Sequence, residues 1–159
     1  MINVLLVEDE APKRAKIIKF ISDLNLDVSI SEAKSVDSAF DQIEVLPPDV
    51  LLLDMSLPTF DISERENGGD PLGFGGIEVL RFMELSEVSC PTIVITGYEA
   101  FPREAGKAFD LNDLREKLEK DFPNSFKDIV HYDTSNTSWK LKIQDFFYNN
   151  YPNDTEDHE

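Results

Sequence analysis

Cysteine is almost missing from this chain. Cys90 is the single thiol in 159 residues, so no disulfide can close within it. That excludes a disulfide-stapled scaffold and makes a reducing, cytoplasmic setting the expectation. Beside Pro91, at the head of an apolar run, Cys90 reads as a small buried hydrophobe. Basic residues are scarce too: 15 Lys and Arg stand against 32 Asp and Glu, a formal net charge of -17. Nucleic acid and anionic lipid repel such a surface, so neither is an expected partner. No apolar run nears the length of a membrane span. No basic segment leads into an apolar one at the N-terminus, so no signal peptide is expected.

What the chain does have is two short apolar runs that end in acids. Val50-Leu51-Leu52-Leu53 stops at Asp54, and Ile2-Asn3-Val4-Leu5-Leu6-Val7 stops at Glu8-Asp9. An unbroken apolar run of this length suits a strand covered on both faces, as in a parallel sheet between helices. On its own Asp54 would read as a turn residue. Two such strands, however, deliver their acids to the carboxyl edge, where open α/β sheets build their sites. Glu8, Asp9 and Asp54 would then crowd together, and like charges at that range raise one another's pKa unless a cation intervenes. A hard divalent ion with oxygen ligands, Mg²⁺ above all, answers that need and points to phosphate chemistry.

The remaining chain alternates in the same way. Pro12 suits a first helical turn, and Ala11, Ala15, Ile18 and Ile21 predict a helix to about Leu24. Val28-Ser29-Ile30 reads as a short second strand. Ser35 is a candidate N-cap for a helix lined by Val36, Ala39, Phe40 and Ile43, which Pro47-Pro48 ends. After Asp54 comes a long Gly-, Asp- and Pro-rich stretch, 59–76, read as a lid or an unstructured insertion. Its glycines match no nucleotide fingerprint, so Gly68 to Gly76 reads as flexible linker. A helix is predicted from Ile77 to about Glu84, and a strand at Thr92-Ile93-Val94-Ile95-Thr96. Gly97 to Asp110 reads as loop with some irregular helix. Asp110 caps a helix marked by Leu111, Leu114, Leu118 and Phe122. Asp128 to Tyr132 predicts an edge strand, and Trp139, Ile143, Phe146 and Phe147 a last amphipathic helix. Residues 1–150 form one expected domain, with 151–159 an acidic tail. Strands alternating with helices imply a doubly wound α/β sandwich, and right-handed crossovers bring Glu8, Asp9, Asp54 and Thr96 to one edge.

Four segments together resemble the receiver domain of two-component response regulators, over nearly the whole chain. Val4 to Glu10 is similar to the family's acidic first strand. Leu51 to Pro58 is similar to its phospho-acceptor segment, Gly76 to Leu80 to the start of its third helix, and Ile95-Thr96-Gly97 to its switch hydroxyl and small neighbour. The resemblance implies a flavodoxin-like, five-stranded parallel sheet of order 2-1-3-4-5. It implies that Asp54 accepts a phosphoryl group from a histidine kinase or phosphotransfer protein. Asp9, Asp54 and the Ser56 backbone carbonyl would hold Mg²⁺, with Glu8 acting directly or through water, and Thr96 would turn inward to the phosphate. It also implies signalling through an unknown downstream protein, since no output domain is read after the last helix. Ser56 stands where small-molecule aspartyl-phosphate hydrolases carry a second acid, so a turnover enzyme is not expected, beyond slow autodephosphorylation.

Two departures qualify this. The lysine that the family places at the end of its fifth strand is absent, and Tyr132 lies nearest its position. Lys107, Arg103 and Lys140 are the candidates to replace it. The segments 59–76 and 97–128 also exceed the family's usual length. Both departures leave an alternative reading open: a pseudo-receiver that binds partners independently of phosphorylation.

Overall fold

The structure, a computed structural model, describes residues 1–60, 74–97, 100–101 and 109–152. Seven strands and five helices follow one another among these residues. They are β1 (Ile2–Val7), α1 (Ala11–Ser22), β2 (Val28–Ala33), α2 (Val36–Val45), β3 (Val50–Leu53), α3 (Gly75–Leu85), β4 (Thr92–Thr96), β5 (Ala100–Phe101), β6 (Phe109–Asp110), α4 (Leu111–Asp121), β7 (Phe126–His131) and α5 (Ser138–Asn150). Five strands form a parallel sheet in the order β2-β1-β3-β4-β7. Counting β7 as the fifth strand of this sheet, the expected order is borne out.

Strand alternation divides the core in two. Leu5, Val7, Leu51, Leu53 and Val94 face α2, α3 and α4. Val4, Leu6, Val50, Leu52, Ile93 and Ile95 face α1 and α5, where Trp139, Ile143 and Phe147 are buried. Central strands covered on both faces have no polar side to show, which is why β3 reads as an uninterrupted apolar run. The caps also follow the sequence. Ser35 Oγ accepts from the Ser38 N–H, and an Asp110 carboxylate oxygen accepts from the Asp113 N–H at 2.9 Å.

Several expectations need correction. Helix α1 buries Lys13, Ile17 and Ile21, while Ala11 and Ala15 are exposed. The buried stripe contains a lysine that a count of hydrophobes alone passes over. Gly75 and Gly76 are not linker but the first turn of α3. A β-carbon on Gly76 would lie 2.5 Å from the Asp54 carbonyl oxygen, so only glycine lets the helix start this close to the strand. Within 97–110, β5 and β6 form a two-stranded antiparallel pair, Ala100 with Asp110 and Phe101 with Phe109, where the sequence predicts loop; 98–99 and 102–108, on which the irregular helix is expected, lie outside the described residues. The pairing satisfies backbone groups that a loop would leave to water. The inserted stretch's residues 61–73, the tail's 153–159, and both Arg103 and Lys107 lie outside the described residues.

Candidate functional site

The site lies at the carboxyl edge of β1, β3 and β4. Parallel pairing sets Val7 beside Leu53 and Leu53 beside Val94, so the residues that follow emerge together. The Asp54 N–H donates to the Val7 carbonyl at 3.0 Å, fixing the acid against the end of β1. Beyond it, Met55 and Leu57 are fully buried and flank the half-buried Ser56. The Gly76 N–H donates to the Met55 carbonyl at 2.9 Å. The Pro58 and Thr59 carbonyls accept from the first-turn N–H groups of Val36 and Asp37. The segment leaving Asp54 is therefore anchored to two helices before the described chain breaks off.

Glu8, Asp9 and Asp54 each offer a carboxylate oxygen within 4.8 Å of the others. Glu8 and Asp54 are buried and Asp9 is half-buried. Burial, reinforced by the Asp54 charge, pushes the Glu8 carboxyl up to about 7, against the pull of Lys13. Asp9 is pushed up to about 6, first by burial and then by its hydrogen bond to Glu8 and by Glu8's charge. Burial likewise raises the Asp54 carboxyl, with the Lys13 ammonium opposing it. Thr96 ends β4, two residues beyond the Val94 that pairs with Leu53, and is fully buried.

The sequence reading missed Lys13. From the first turns of α1 it reaches beneath this edge with only 3% of its surface exposed. Its Nζ forms an ion pair with Glu8 Oε1, lies 3.5 Å from Asp54 Oδ1, and donates to the Ile95 carbonyl at 2.9 Å. The Tyr132 ring centroid is 5.7 Å from the same nitrogen. Burial works to lower the Lys13 pKa, but the charges of Asp54 and Glu8 outweigh it and hold the ammonium above its usual range. The signal was its spacing, since Lys13, Ile17 and Ile21 fall at i, i+4 and i+8 on one helix face. Lys140, expected as a substitute cation, instead lies over the Phe20 and Trp139 rings, 5.9 and 5.6 Å from their centroids. Arg14 is committed to Glu32 and the Glu8 carbonyl.

The donor set fits a hard divalent cation. Among the described residues, three ionised carboxylates and the Lys13 ammonium leave two negative charges uncompensated. Among the same residues, buried Glu8 Oε1 and Asp54 Oδ1 have no well-directed hydrogen-bond donor. Without a cation, the raised Glu8 and Asp9 pKa values mean that protons take up the charge instead.

No family model matches the chain. The Detocs response regulatory protein DtcB of Vibrio alginolyticus is 28% identical over 149 residues, covering 90% of this chain and 97% of that protein. Among solved structures, the receiver domain of AraT, a response regulator from Geobacillus stearothermophilus, superposes with a TM-score of 0.60 at 20% identity. That match covers 97% of this chain and 98% of the domain. The receiver domain of a Pseudomonas aeruginosa sensor histidine kinase, described with a magnesium ion coordinated in its active-site cleft, gives a TM-score of 0.60 at 17% identity. It covers 93% of this chain and 95% of that domain. The chain thus has the fold of response-regulator receiver domains, and the resemblance read in its sequence is borne out.

Proposed function

We propose that this chain is a receiver that takes a phosphoryl group on Asp54 from a histidine kinase or phosphotransfer protein and signals by binding another protein. The observation that carries the reading is the meeting of Glu8, Asp9 and Asp54 within 4.8 Å at one sheet edge. In the transfer, an Asp54 carboxylate oxygen attacks phosphorus as the bond from phosphorus to the donor imidazole breaks. The imidazole nitrogen keeps the electron pair and takes a proton from solvent. Such a reaction asks for positioning and charge stabilisation and little else. Mg²⁺ held by Asp9, Asp54 and the Ser56 backbone carbonyl, with Glu8 direct or through water, would offset charge on the phosphoryl oxygens. Thr96 stands at the neighbouring strand end to donate its hydroxyl to the product. Asp9 is only half-buried, which supports access for an incoming donor. We assign residues 1–150 to this one domain, working in a reducing cytosol.

The absence of lysine at the end of β7, where Tyr132 stands, favours a second reading: a module that binds its partner whether or not Asp54 is modified. Incubation with Mg²⁺ and a small phosphodonor, followed by intact mass and peptide mapping, separates the two. The receiver reading expects one added phosphoryl group, on the peptide holding Asp54, and none in Asp54→Asn. An unchanged mass in both proteins would sink it.

A further inference from the structure

Resting on the reading of Asp54 as acceptor, we infer that Lys13 is the cation that binds the phosphoryl group, so that phosphorylation acts on α1 and the end of β4. A phosphoryl group on Asp54 brings fresh negative charge to a rim that already holds Glu8 and Asp9. The end of β7 offers Tyr132 in place of an ammonium. Lys13 supplies one from the opposite direction, already 3.5 Å from Asp54 Oδ1.

The burial of Lys13 is itself evidence of a task. It sits in line with Ile17 and Ile21, where packing alone is better served by an apolar side chain than by a desolvated ammonium. Every group around its nitrogen steers it to the cleft. Glu8 pairs with it, the Ile95 carbonyl accepts from it, and the Tyr132 ring walls one side. Its four-carbon stem allows the head to shift toward new acceptors while the helix backbone stays in place.

That shift has a direction. In the structure Lys13 ties α1 to the Ile95 carbonyl, one residue before Thr96. The Thr96 carbonyl in turn accepts from the Tyr132 N–H at 2.8 Å. Phosphoryl oxygens compete with Ile95 for the ammonium, and the end of β4 and α1 are released from each other as the bond changes hands. The responding surface is therefore centred on α1, not on β7.

Beryllofluoride with Mg²⁺, added to the full chain, tests this. In wild-type protein uniformly labelled with ¹⁵N, the Lys13 side-chain resonance is expected to move, together with the amides of α1 and of Ile95 and Thr96. Lys13→Met is expected to bind beryllofluoride roughly 10- to 100-fold more weakly, the loss of one charge-assisted hydrogen bond. Its α1 amides should no longer respond. Adding Tyr132→Lys to Lys13→Met should restore affinity but not the α1 response. A Lys13 resonance that stays put while beryllofluoride binds overturns the inference, and needs no variant to fold. Lys13→Met binding as tightly as wild type would do the same. If wild-type protein takes up neither beryllofluoride nor a phosphoryl group, the acceptor reading fails first and this one with it.

Discussion

At the scale of single residues, the site holds more acid than Lys13 can balance, and pH exposes this. Folded Glu8 keeps its proton to about pH 7, whereas the unfolded residue loses it near 4.5. Across that window the folded state binds more protons, so its stability falls as pH rises. The shift corresponds to about 3 kcal/mol. Chemical denaturation of metal-free protein should therefore show a decline between about pH 4.5 and 7, and Glu8→Gln should flatten it. A wild-type profile as flat as that of Glu8→Gln would remove the case for a strained carboxylate cluster. Mg²⁺ must displace the same protons, so its binding should release them and weaken as pH drops below about 7. Calorimetry in two buffers of different ionisation enthalpy reads this directly. The acids were legible in the sequence because each ends an apolar strand, which fixes where it emerges. Lys13 was not, because a hydrophobic period counts methylenes and ignores a lysine whose stem is buried like theirs.

At the scale of elements, the cleft depends on helices that begin close against it. Gly76 lets α3 start within bonding distance of Met55, and its β-carbon would meet the Asp54 carbonyl oxygen. Gly76→Ala should destabilise the fold by about 1–3 kcal/mol through overpacking. It should also slow phosphoryl uptake, because the strain falls on the acceptor's own backbone. Wild-type stability and uptake in that variant would mean the contact is soft. The cap of α4 should act only on stability: Asp110→Ala is expected to lose about 1 kcal/mol in urea melts and leave phosphoryl uptake unchanged. Both capped helix starts could be read from Ser35 and Asp110, since a cap is a local device with a local signature. The pairing of β5 with β6 could not, because Ala100 and Asp110 meet across a connection whose closure no short pattern records. The glycines before α3 misled for a related reason. Glycine marks both flexible linkers and close approaches, and only the partner across the gap decides.

At the scale of the whole molecule, two apolar layers clamp a five-stranded sheet whose rim and surface are strongly acidic. The net charge of -17 opposes compaction, so added NaCl should raise the melting temperature. Mg²⁺ at matched ionic strength should raise it further, and that surplus should vanish in Asp54→Asn. An equal rise in both proteins would reduce the ion to general screening. The layered fold was legible because it follows from alternation, crossover handedness and the two strands that end in acid. A crystal structure of the protein with Mg²⁺ and beryllofluoride tests the acidic cleft most directly. The metal is expected against Asp9, Asp54 and the Ser56 carbonyl, and beryllofluoride on Asp54 within reach of Thr96 and Lys13. Metal and beryllofluoride bound away from Asp54, or an Asp54 cleft that takes neither at saturating concentration, would contradict the reading of Asp54 as acceptor.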